Sequence, residues 1–154
     1  MEIMSERFKY YEGTLEQFIR EVLTRKDKLK KFLISFVSPS LLEQIADLDH
    51  RVGPHYKHII DNSAINHIKK RHSGDRESLR GQVPVTDEDI AFIPHILETF
   101  DTLETNVNDI GNKVLIFTKG TTDGELHYIE EIREGRAELA ACTLYKTKKE
   151  THRR

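Results

Sequence analysis

Apolar residues recur at helical spacing between Thr14 and Val37, where Leu15, Phe18, Ile19, Val22, Leu29, Phe32, Leu33 and Phe36 define one side of a long amphipathic helix. Thr14 and Gln17 have the form of a capping box at its start, and Ser38-Pro39 stops it. Ser38 is then placed to cap a second helix, with Pro39 in its first turn and SLLEQIADL carrying it to about Leu48. Gly53-Pro54, inside DHRVGPHY, breaks any helix and sets the expected boundary. Residues 1–50 read as a helical appendage, and residues 51–154 as the main domain.

Beyond that boundary Asp61 or Asn62 can cap SAINHIKKRHS, a helix with Ala64, Ile65 and Ile68 turned inward and Ser73-Gly74-Asp75 at its end. After the link GQVPV, Thr86 followed by Asp87, Glu88 and Asp89 is a strong helix start, because the macrodipole favours carboxylates there. Pro94 restarts or kinks this helix, and Ile90, Ile93, Ile96 and Leu97 mark its buried side.

Past Phe100 the period changes from helix to strand. A short segment near Leu103 to Val107 precedes KVLIFTK (113–119), a GTTDG turn, LHYIEEI (126–132), a second turn at Arg133-Glu134-Gly135-Arg136, and AELAACTLYK (137–146). Connections this short demand antiparallel pairing, since a parallel crossover needs a dozen or more residues. The expected fold is therefore α+β, with N-terminal helices followed by a four-stranded antiparallel sheet. The polar tail TKKETHRR is expected to fray.

Composition narrows the function classes. The chain has 154 residues, 37% of them hydrophobic and 32% charged, and its net charge of −2 excludes a globally basic nucleic-acid glue. The charge is unevenly spread. Residues 51–80 hold 7 basic and 3 acidic groups with four of the 8 histidines, residues 81–113 hold 1 and 7, and residues 139–154 hold 5 and 1. Two basic blocks thus flank an acidic middle and would form a local anion site if the fold joins them. The single cysteine, Cys142, excludes a disulfide framework and a multi-cysteine zinc site, and fits a reducing compartment. No apolar run approaches the roughly 18 residues of a membrane span, and the polar start MEIMSERFKYYEG lacks the apolar stretch of a signal peptide. The expectation is a soluble cytoplasmic protein with no membrane partner.

The segment HIKKRH carries the most chemistry. His67 and Arg71 lie one turn apart on one helix face and His72 sits at the helix end, which sets groups titrating near neutral pH beside a fixed cation. Such a face suits proton transfer at a phosphodiester, with Lys70 as a substrate contact; the same spacing also describes an exposed basic face with no further role. A second basic patch holds Lys119 at one strand end with Thr143, Tyr145 and Lys146 closing the last strand. Alternation puts Thr143 and Tyr145 on one face, where a hydroxyl and a phenol could orient a phosphate, with Lys119 stabilising phosphoryl charge and Lys146 binding substrate. His50, His55 and His58, with Asp49 and Asp61, offer metal-ligating atoms, but their spacing crosses Gly53-Pro54 and matches no helix-borne ligand pair, so no metal and no cofactor is expected. Cys142 reads as a small buried residue, and Glu130 and Glu131 cannot both face one ligand from a strand.

In their order, HIKKRH, the Gly-Gln-x-Pro-x-Thr-Asp-Glu-Asp-Ile link with IPHIL, and the strands KVLIFTK, LHYIEEI and LAACTLYK resemble the phage-associated Barnase-EndoU-colicin-RelE-like nuclease domains. The resemblance covers about residues 60–149. It implies an α+β nuclease domain and a metal-independent ribonuclease activity of the kind found in toxins and in phage or mobile-element proteins. The family's helix histidine and basic pair match His67, Arg71 and His72, its strand lysine matches Lys119, and its final Thr-x-Tyr matches Thr143 and Tyr145. RNA is the partner this implies, with an immunity protein as a second candidate. The contrasting reading is a catalytically silent binding or assembly module, in which residues 14–48 dock to another protein or to a second copy of the chain.

Overall fold

The computed structural model describes residues 10–24, 31–49, 51–72 and 82–148. Helix α1 spans Leu15–Thr24 and starts as its sequence requires: Gln17 N donates to Thr14 Oγ1 at 3.1 Å and Thr14 N donates to Gln17 Oε1 at 2.9 Å. It buries Leu15, Phe18, Ile19 and Val22. The expected continuation to Val37 is corrected here, because Lys31–Phe36 is a strand, β1; Leu29 lies outside the described residues. Over so short a run Phe32, Leu33 and Phe36 satisfy either period, and pairing decides between them. Phe32 faces Ile60 and Leu33 faces Ile59 across an antiparallel ladder, and the Phe32 ring stacks on Phe18 at 5.7 Å.

Helix α2 (Pro39–Leu48) follows, with Ser38 Oγ accepting from Leu41 N at 3.2 Å. Strand β2 is Lys57–Asp61, and α3 is Asn62–His72, whose first turn is held by Asp61 Oδ1 accepting from Ala64 N. The residues 73–75 expected to end α3 lie outside the described set, as do most of the tail's, 149–154. Strand β3 is only Gln82–Val83. Thr86 and Asp89 form the reciprocal capping box of α4 (Asp87–Ala91), and Pro94 lies in the first turn of α5 (Ile93–Thr99), so the proline restarts the helix. Strands β4 (Thr102–Val107), β5 (Lys113–Thr121), β6 (Gly124–Arg133) and β7 (Glu138–Thr147) complete the chain.

The four late strands form the antiparallel meander that their short turns demand. The sheet nevertheless has seven strands rather than four, in the order β1-β2-β7-β6-β5-β4 with β3 also on β7. The strands missing from the expectation are β1, β2 and β3, each six residues or fewer. β2 pairs with β7 in parallel beside Glu138 to Ala140, while β3 pairs antiparallel beside Lys146 and Thr147. One long edge of β7 is therefore shared by two strands, one at each end. The boundary expected between residues 50 and 51 falls inside this sheet, with β1 on one side of it and β2 on the other.

One sheet face is the core face. Leu115, Phe117, Leu126, Tyr128, Leu139 and Leu144 pack in one cluster with Phe18 of α1, Ile65 and Ile68 of α3, and Ile90, Ile93 and Ile96 of α4 and α5. Strand alternation sends Thr118, His127, Thr143 and Tyr145 to the opposite face, where they are half-buried. Among the described residues no helix is long and apolar enough to cross a membrane.

Candidate active site

The C-terminal end of α3 meets β7 between the two strands that share its edge. Val85 N donates to His72 O at 2.7 Å, which ties the helix end to the segment after β3. There the rings of His67 and His72 lie 5.9 Å apart, and those of His72 and Tyr145 5.8 Å apart. His127 of β6 continues the row, stacked on Tyr145 at 4.7 Å with an interplanar angle of 17°. Three imidazoles and one phenol from α3, β6 and β7 thus form one chain of successive ring contacts. Lys70 and Arg71, in the last turn of α3, are exposed beside it.

Burial lowers the basicity of His67, and the neighbouring charges of His72 and Arg71 lower it further. Burial also lowers His127, against the opposing pull of the Glu125 and Glu104 carboxylates. Both rings are consequently neutral at pH 7, and a neutral imidazole can accept a proton.

Thr143 lies on the same face as Tyr145, one step along β7, and its Oγ1 is buried without a hydrogen-bond partner among the described residues. The two sheet lysines are elsewhere. The register aligns Lys119 with Leu126 and Lys146 on the core face. Lys119 Nζ donates to Thr99 O at 3.0 Å. Lys146 is buried, with Nζ 2.9 Å from Asp89 and 3.1 Å from Asp123. Burial alone would lower its basicity, but the hydrogen bonds to these two carboxylates raise it. Of the eight residues singled out in the sequence, His67, His72 and Tyr145 come together, Lys70 and Arg71 border them, Thr143 is adjacent, and Lys119 and Lys146 face away.

His127 was not singled out. The signal that finds it is strand pairing: His127 is directly opposite Tyr145, and the two therefore share a face. Several of the other candidate ligands are held by partners within the protein. His58 Nδ1 lies 2.9 Å from Glu130, deep in the core, and His50 is outside the described residues. Glu131 points to the opposite side from Glu130 and accepts from Asn108, Asn112 and Arg133. Burial pushes the Cys142 thiol up to about 11, so it stays protonated.

Two imidazoles, a phenol and two exposed cations thus lie together on one part of an α+β domain. The family described as phage-Barnase-EndoU-ColicinE5/D-RelE like nuclease 3 matches residues 35–154, and the chain belongs to this family of nucleases. The match begins within β1 and so reaches further toward the N-terminus than the motifs from residue 60 onward. No curated protein and no solved structure matches the chain. Membership implies a nucleic acid as the substrate class.

Proposed function

We propose that the protein is a metal-independent endoribonuclease that cleaves RNA by attack of a 2'-hydroxyl on the adjacent phosphorus. The observation that carries this reading is the succession of ring contacts joining His67, His72 and Tyr145, bordered by Lys70 and Arg71. Cleavage of this kind needs a base for the 2'-hydroxyl proton, an acid for the leaving 5'-oxygen, and cations for the charge on the phosphorane. His67, kept neutral by burial and by its cationic neighbours, takes the proton. His72 or Tyr145 protonates the leaving oxygen. Arg71 and Lys70 hold the developing charge, and the products are a 2',3'-cyclic phosphate and a free 5'-hydroxyl.

The test is incubation of purified protein with total tRNA and mRNA in EDTA. Cleavage is expected, with termini carrying the cyclic phosphate, and it should be lost in the His67→Ala, His72→Ala double variant. RNA that stays intact with wild-type protein, or is cut equally by the double variant, overturns the reading. The assembly-module alternative is less well supported, because the apolar residues of α1 on which it depends are buried in the chain's own core.

A further inference from the structure

We infer that His127 is a positioning residue for Tyr145, clamping the phenol ring so that its hydroxyl is fixed toward the reacting phosphate. The inference rests on the proposed ribonuclease reading and adds to it a residue that neither the sequence motifs nor the family match assigns.

Three contacts carry it. The imidazole lies nearly parallel to the Tyr145 ring, at 4.7 Å and 17°, the geometry of face-on stacking. Its Nε2 is 2.9 Å from Thr147 Oγ1 on β7, and its Nδ1 is 3.4 Å from Thr118 Oγ1 on β5. The ring is therefore anchored on both neighbouring strands while its face holds the phenol. His72 approaches Tyr145 as well, at 5.8 Å. Tyr145 has two imidazole neighbours, and these contacts restrict the swing of its ring.

The same contacts argue against His127 as the acid or base. A neutral imidazole has one donor and one acceptor, and a threonine hydroxyl can serve as either partner, so Thr118 and Thr147 satisfy both nitrogens in either tautomer. To exchange a proton with substrate, His127 would have to break one of these bonds. Among the described residues, the contacts of Tyr145 with its imidazole neighbours are made by its ring, and its hydroxyl is not committed in this way. Misplacing a catalytic group by about 1 Å can cost up to a hundredfold in rate, so a ring that only orients its neighbour can still matter strongly.

The experiment is a double-mutant cycle on the full chain, with a labelled RNA oligonucleotide taken from the wild-type cleavage sites. His127→Ala is expected to lower kcat about tenfold with KM within about twofold. His127→Phe restores a stacking face without the nitrogens and should recover kcat to within about threefold of wild type. Because His127 acts through Tyr145, adding His127→Ala to Tyr145→Phe should lower kcat no further. Thermal midpoints measured alongside separate lost folding from lost positioning, and the Phe variant keeps the question answerable if the Ala variant is unstable. Wild-type kcat in His127→Ala, or full additivity with Tyr145→Phe, overturns the inference while leaving the ribonuclease reading intact. A wild-type protein that cleaves no RNA sinks that reading first, and this inference with it.

Discussion

His58 Nδ1 lies 2.9 Å from both carboxylate oxygens of Glu130, and each side chain is at most 1% exposed. Tyr128 adds its hydroxyl to the same carboxylate at 2.8 Å, and burial first, then Glu130, raises its phenol well above the ordinary range, so it remains a donor. His58→Leu removes one side of this pair and leaves a buried carboxylate with a single partner. The expected loss is about 3–5 kcal/mol, measured as a lowered denaturation midpoint. Replacing both members, in His58→Leu with Glu130→Leu, should recover part of it, because no buried carboxylate remains, while the Tyr128 hydroxyl loses its acceptor. A single variant as stable as wild type would show that the pair contributes nothing.

Lys146 is expected to act in the fold rather than on RNA. Its side chain is 4% exposed, and its ammonium sits between Asp89, which also closes the capping box of α4, and Asp123 at the β5–β6 turn. Lys146→Met should lower stability by roughly 3 kcal/mol, since Asp89 is left largely buried without its cation. RNA affinity of the folded fraction should be unchanged within about twofold, whereas Arg71→Ala should weaken binding and flatten its salt dependence. A loss of affinity without loss of stability in Lys146→Met would restore the lysine to the binding site.

The meander and the caps were legible because each is local. Short connections fix strand direction, and Thr86 with Asp89 or Thr14 with Gln17 needs only neighbours in sequence. β1 and β2 were not legible. KFLISF satisfies a helical period as well as a strand period, and KHIID is too short to show either; both become strands because they pair with each other and β2 also pairs with β7. The site divided along the same line. HIKKRH could be read from its spacing within one helix, but the facing of Lys119 and Lys146 depends on cross-strand register, and the role of His127 depends on Tyr145 18 positions away in sequence.

Gly124 shows a packing constraint on the turn between β5 and β6. A Cβ there would come within 2.5 Å of the Thr147 carbonyl oxygen and 3.1 Å of Lys146 Cγ. The first obstacle is backbone in a paired strand, which cannot shift as a flexible side chain would. Gly124→Ala is expected to cost about 1–3 kcal/mol. Because Thr147 also anchors His127, the hairpin should loosen at the site's edge as well, with increased amide exchange at Glu125 to His127. Unchanged stability and exchange would show that the strand end yields easily.

Asp49 predicts part of the acid response. Hydrogen bonds from Arg51, at 2.9 and 2.7 Å, hold its carboxyl down to about 2, against a burial effect that would raise it and with further help from the Arg51 and Lys113 charges. A carboxyl lowered in the folded state contributes stability that is complete above its unfolded value, 3.8, and is lost as pH falls toward 2. Asp49→Asn should therefore be less stable at neutral pH and show a shallower loss between those two values. Equal slopes in the two proteins would remove Asp49 from the account.

The pH dependence of cleavage tests His67 directly. A base must be unprotonated, and burial, His72 and Arg71 each favour the neutral ring, so kcat/KM should rise with pH through an acid limb below the ordinary histidine value of 6.5. Arg71→Ala removes one of the two like charges. The limb should then move up, toward 6.5 but not to it, because burial and His72 still act on the ring. Arg71→Lys keeps the charge and should leave the limb in place, even if a single ammonium holds the phosphate less well than the guanidinium fork. The two variants separate roles that otherwise overlap: loss of phosphate contact lowers the plateau, whereas only a change in the field at His67 moves the limb. A limb that stays fixed in Arg71→Ala while the plateau falls would assign Arg71 to the phosphate alone and the base to another group.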